Sequence, residues 1–289
     1  VTNKVVVNPV TIPTNPSENS TTPKEIGNVL NQTTINGSTP SINDVTITAT
    51  PSAPGSPKKP YIDTTTGKVM IPSGVAPGDH TISYTICDKV TPASANTCKT
   101  ATVTVKVTGN TITPEDDDFS AHKVEHPATA TFVNDGTNDV NVLTNDKLGA
   151  RTGLDTHVVT ITQTHTSEPK VTIESDGRVK VAADAPAGTH TVKYKITEKG
   201  QTTASAEVEV KVVVTNKIEL TPNDVVSNPV TPSTDSATPK KIGDVLDGIK
   251  LNGAKPTIGT GPNQVSITVT NPATPPVAGD PVPSINTTT

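Results

Sequence analysis

Two groups of residues in this chain are of the type and spacing that could carry chemistry. One is the acidic run Glu115-Asp116-Asp117-Asp118, followed downstream by Asp135, Asp139 and Asp146. Calcium takes about six to eight oxygen ligands from carboxylates and carbonyls. Asp116, Asp117, Asp118 and Asp146 are therefore candidate calcium ligands that would stiffen a joint between domains. The alternative is a solvated, charged linker, and the spacing does not match the Asp-x-Asp-x-Asp-Gly loop of an EF-hand. The other group is the only two cysteines, Cys87 and Cys98. Both fall at outward-facing positions on adjacent strands of one expected hairpin, a geometry that suits a cross-strand disulfide. Closing that loop would contribute roughly 2–3 kcal/mol. The alternative is a pair of free surface thiols, and the spacing excludes a Cys-x-x-Cys redox pair.

No nucleophile elbow or glycine-rich phosphate loop is present, and the six histidines are scattered. His80 and His190 occupy the same position of a repeated stretch, which favours a structural role in both copies. We therefore expect no enzyme activity and no resident cofactor, with calcium as the possible exception.

The elements that must position these residues follow from that repeat. Gly67, Gly78, His80 and Tyr84 match Gly177, Gly188, His190 and Tyr194, about 110 residues further on, the length of one β-sandwich domain. Each copy leads to a closing strand of one pattern, Ala101-Thr-Val-Thr-Val-Lys-Val107 and Ala206-Glu-Val-Glu-Val-Lys-Val212. The parity places Ile82, Tyr84, Ile86, Val103, Val105 and Val107 inside and the intervening Thr, Ser and Lys outside, as an antiparallel sheet with one wet face requires. Tyr84 and Tyr194 resemble the tyrosine corner of sandwich domains.

The expected architecture is all-β: tandem Ig-like sandwiches over 1–108, 109–213 and 214–289. In the first, Lys4 to Val7 opens a sheet and Asn8 to Thr22 is a loop. In the second, Ala128 to Phe132, Val140 to Leu143 and five further segments read as strands. The third repeats the first: Thr238-Pro-Lys-Lys-Ile-Gly-Asp-Val-Leu246 matches Thr22-Pro-Lys-Glu-Ile-Gly-Asn-Val-Leu30, and Val265 to Thr270 matches Val45 to Thr50. It lacks the repeated stretch and its final strands, so it is expected to be completed by further chain or by a partner.

Composition fits small β cores. There is no Trp, two Phe and three Tyr, so Val and Ile must fill the interior. A net charge of −5 without a basic patch argues against nucleic-acid binding.

The stretch Gly78-Asp-His-Thr-Ile-Ser-Tyr-Thr-Ile-Cys87, with Asn96-Thr-Cys98 and the Thr-Val-Thr-Val closing strand, resembles the Ig-like repeats of giant Bacteroidota surface adhesins of the gliding-motility type. Asp139-Val-Asn-Val-Leu-Thr-Asn-Asp146 is similar to the cadherin-like repeats of bacterial adhesins. This resemblance implies a segment of a long filament at the bacterial cell surface, exported by type IX secretion and serving attachment and gliding. It implies as partners a surface polysaccharide or other adhesion substrate, the neighbouring repeats, and the motility or secretion machinery. Asp63-Thr64-Thr65 and Asp235-Ser236-Ala237 resemble the O-glycosylation pattern of that phylum, with Thr64 and Ser236 as acceptors. The competing readings are a carbohydrate-binding module, for which only Tyr61, Phe119 and Phe132 offer rings outside the paired tyrosines, and a strand-donating fibre subunit.

Overall fold

The computed structural model describes residues 3–89, 97–221, 233, 238–261, 264–270 and 284–288. Alternating Val, Ile and Thr build strands throughout, and the chain is an all-β array of tandem sandwiches. No helix among the described residues is long and apolar enough to cross a membrane.

The first sandwich contains β1 (Val5–Val7), β2 (Val10–Thr14), β3 (Lys24–Asn28), β4 (Thr33–Ile35), β5 (Val45–Thr50), β6 (Tyr61–Asp63), β7 (Lys68–Ile71), β8 (Gly78–Asp88) and β9 (Cys98–Val107). One sheet runs β2-β9-β8-β5; β3-β7-β6 faces it, and β1 pairs with β4. Ile82, Tyr84, Ile86, Val103, Val105 and Val107 are buried between the layers, with Ile62, Val69 and Ile71 opposite them. The inward parity read from the sequence is the parity of the sheet. The expected loop over Asn8 to Thr22 is corrected: it contains β2, which pairs parallel with β9, Val10 beside Val103 and Thr14 beside Val107. Val10 and Ile12 turn towards the core, and Pro13 is tolerated because β2 is an edge strand.

The second sandwich contains β10 (Ile112–Thr113), β11 (Asp117–Asp118), β12 (Val124–Glu125), β13 (Thr131–Phe132), β14 (Lys147–Leu148), β15 (Arg151–Thr152), β16 (Val159–Thr166), β17 (Val171–Ile173), β18 (Val179–Val181), β19 (Gly188–Glu198) and β20 (Val208–Thr215). Its main sheet runs β11-β20-β19-β16, with β12 also on β20 and with β13-β18-β17 opposite. It has a core of its own, in which Val192, Tyr194, Ile196, Val210 and Val212 are fully buried. The expected strand over Val140 to Leu143 is instead a turn, because the Asn141 side chain caps it.

The two closing strands are related with a slip. Gly78 stands opposite Val107, whereas Gly188 stands opposite Val214. Val208 therefore takes the place of Ala101, two residues beyond the sequence match. A two-residue shift keeps every side chain on its face, so the core survives the slip.

After Thr215 come β21 (Ile218–Leu220), β22 (Ile249–Leu251), β23 (Thr257–Ile258) and β24 (Gln264–Val265). β21 and β22 pair as β1 and β4 do. Asn252 and Gly253 hold the positive φ angles of 54° and 82° seen at Asn36 and Gly37, 51° and 90°. The strand expected over Val265 to Thr270 is reduced to β24; among the described residues nothing offers it the partner that β8 offers β5.

Candidate functional site

In each sandwich an asparagine caps one turn in the same way. Asn28 accepts a hydrogen bond from the Leu30 N–H at 2.9 Å and donates to the Thr66 carbonyl at 3.3 Å, while the Val29 N–H donates to the Gly67 carbonyl at 2.9 Å. Asn141 repeats this with Leu143 N–H at 3.0 Å and the Asp176 carbonyl at 2.8 Å, and the Val142 N–H reaches the Gly177 carbonyl at 3.0 Å. The amide is suited to this because it accepts and donates at once. Asp244 makes the first of these bonds, to Leu246 N–H at 3.0 Å, but a carboxylate has no hydrogen to donate for the second. Its other oxygen takes Lys255 at 3.1 Å instead.

At the buried tyrosines the two sandwiches differ. In the first, Thr33 donates to the Val29 carbonyl at 2.9 Å, and the buried Tyr84 hydroxyl has no partner among the described residues. In the second, Asp146 stands where Thr33 does, five residues after the capping asparagine, and the Val142 carbonyl accepts from Tyr194 at 3.0 Å. The same hydroxyl lies 3.0 Å from Asp117 Oδ2 and 3.1 Å from Asp146 Oδ2. A phenol has one hydrogen and cannot serve three acceptors. The phenol hydrogen therefore serves one of these oxygens, and a protonated carboxyl would supply the group's second hydrogen.

The electrostatics agree. Burial pushes the Asp117 carboxyl up to about 7; the Tyr194 bond opposes this, and the nearby Asp146 adds to it. Burial likewise raises Asp146, against the bond from the Glu115 N–H. Burial, and then the two carboxylates, push the Tyr194 hydroxyl up, while burial alone raises Tyr84.

Of the four residues expected to hold calcium, Asp116, Asp117 and Asp118 line one surface pocket with Asp135 and Asp139, and Asp146 is not among its lining. Asp117 and Asp146 are buried around Tyr194. Asp116 accepts from the Glu209 N–H at 2.8 Å, and Asp118, which is exposed, accepts from the Ser120 N–H at 2.9 Å. Strand alternation at β11 turns Asp117 inward and its neighbours outward. Among the described residues no three acidic, histidine or cysteine groups are placed to hold a metal ion.

Cys87 and Cys98 are joined by a disulfide between directly opposed residues of β8 and β9, closing an 11-residue separation. His80 and His190 each bond the carbonyl four residues upstream, of Ala76 at 2.9 Å and Pro186 at 2.8 Å. Of the available rings, Phe132 is covered by Arg178, whose guanidinium carbon lies 3.8 Å from the ring centre. Phe119 packs on the second core, and Tyr61 is half-buried on β6. Thr64 lies in the β6–β7 turn and is half-buried; Ser236 lies outside the described residues. The sequence reading missed the capping asparagines and the Asp117–Tyr194–Asp146 group. An Asn or Asp before Val-Leu in all three repeats was the available signal for the former.

No family model matches the chain, and no curated protein matches it. Among solved structures it is similar to protocadherin gamma B2 extracellular cadherin domains 3–6, at TM-score 0.30 and 10% identity, over 74% of this chain and 52% of that one. It is similar to human CDH23 EC21-23 at TM-score 0.28 and 18% identity, over 71% and 68%, and to chicken VE-cadherin EC1-2 at TM-score 0.27 and 13% identity, over 71% and 97%. The chain thus spans about half the length of the first of these.

Proposed function

We propose that this chain is a structural repeat segment of a long cell-surface adhesin filament that serves surface attachment and gliding motility, with units over 1–108, 109–213 and 214–289. Its partners on this reading are an adhesion substrate such as a surface polysaccharide, its neighbouring repeats, and the motility or secretion machinery. The observation that carries the reading is the pairing of first and last strands. In both sandwiches a strand near the entry of the chain lies parallel to the strand by which it leaves, β2 on β9 and β11 on β20. In a parallel pair, the entry end of one strand and the exit end of the other are at opposite ends. Tension along the chain therefore shears the ladder lengthwise and loads its hydrogen bonds together. That is the loading a tethering filament needs.

A fluorescent antibody against residues 1–214, applied to live cells, tests this. Label travelling along the cell body is the expected result. Stationary label removes the gliding role and leaves a static stalk, and absence of label on intact cells removes the surface reading.

A further inference from the structure

We infer that the first two sandwiches are locked into one rigid body by a direct polar interface that needs no metal, in which side chains of the second sandwich grip main-chain carbonyls of the first. Three separate stretches of the second sandwich take part. From residues 109–110, Asn110 Nδ2 donates to the Pro16 carbonyl at 3.2 Å. From 149–151, Arg151 Nη1 donates to the Glu18 carbonyl at 2.6 Å. From 199–201, Gln201 Nε2 donates to the Val75 carbonyl at 2.9 Å. In the other direction Asn15 Nδ2 donates to the Gly109 carbonyl at 2.5 Å.

The gripping side chains are themselves held. Glu198, buried at the end of β19, accepts from the Asn110 N–H at 2.7 Å and from its Nδ2 at 2.5 Å. Arg151 is fixed from behind by Asp155 at 2.7 Å. The backbones also meet: a Cβ on Gly200 would stand 2.5 Å from the Gly74 carbonyl oxygen, so only glycine permits this approach.

Domains joined by a short linker move relative to one another unless their interface resists it. Here the bonds arise from three separate stretches, so rotation about any axis through one of them breaks the others. Three of the four acceptors are main-chain carbonyls of the first sandwich, whose positions follow from its fold and not from flexible side chains. The acidic run lies outside this interface, and none of the four inter-sandwich bonds uses it. The inference stands whether or not the chain is an adhesin.

Residual dipolar couplings of the weakly aligned 289-residue chain test it, comparing amides of residues 45–88 and 98–107 with those of 159–215. A single alignment tensor is expected to fit both sandwiches, unchanged by EDTA. Asn110→Ala, and separately Asn15→Ala with Gln201→Ala, are expected to lose the shared tensor, each sandwich then fitting only its own. The paired variant lies outside both main sheets, and couplings that fit each sandwich separately report that both remain folded. Two tensors in the unaltered chain, loss of the shared tensor on adding EDTA, or a shared tensor persisting in both variants would overturn the inference.

Discussion

At the scale of single residues, the two repeats show how one buried tyrosine can be accommodated in two ways. The buried Tyr84 hydroxyl has no partner among the described residues, while Thr33 bonds the Val29 carbonyl. Tyr194 bonds the Val142 carbonyl and gathers two carboxyls as well. The second sandwich should therefore respond to pH in a way the first does not. Asp117 rises from its ordinary 3.8 to about 7 on folding, so the folded sandwich holds a proton that the unfolded chain releases. The stabilisation is fully present below the unfolded value and is lost as pH rises through about 7. Urea unfolding of the full chain should show the second sandwich weaker at pH 8 than at pH 5. Asp117→Asn, which supplies a permanent donor to the phenol oxygen, should flatten that difference and strengthen the sandwich at pH 8 by about 1–3 kcal/mol. An unchanged pH slope in the variant would show that the proton resides elsewhere.

At the scale of elements, the Asn-Val-Leu turn is the device that ties the short hairpin of each sandwich to its core. Asn141 bridges its own turn and the β17–β18 hairpin, and Gly177, at φ 90°, leaves room for it. Asn141→Asp keeps the acceptor for Leu143 N–H but sets a carboxylate against the Asp176 carbonyl. It should cost about 1–3 kcal/mol, measured as a shift in the urea midpoint of the second sandwich. The turn was half legible: Val-Leu recurs three times in the chain, but its asparagine reads as an ordinary turn residue until the hairpin 35 residues away is seen to receive its amide. The hairpins β6–β7 and β17–β18 rest on turn chemistry and period-two alternation, which are local. β2 and β11 were not legible, because their pairing with β9 and β20 spans most of a domain, and short stretches carrying Pro or Asp resemble loops.

At the scale of the whole molecule, the parallel first-to-last pairing and the lock between the sandwiches both bear on response to force. The disulfide adds a difference between units. Cys87 and Cys98 hold 11 residues out of the extensible path, so stretching the first sandwich should release about 35–40 Å less chain when the bond is intact than after reduction. Single-molecule extension with and without reductant measures this, and the second sandwich, which has no cysteine, serves as the internal control. Equal release in both conditions would mean that the bond lies outside the stretched path.

The sequence by itself determined the fold class and the inward faces of β8 and β9. Each of these follows from patterns repeated within a few residues or copied whole between units. Only the tertiary structure placed Asp117 and Asp146 against Tyr194. Asp117 reads as one more solvated charge until it is found buried against Tyr194, 77 residues away, where burial pushes its carboxyl up to about 7. Tertiary structure also decided the lock between sandwiches, because its acceptors are main-chain carbonyls, which every residue possesses and no sequence pattern distinguishes.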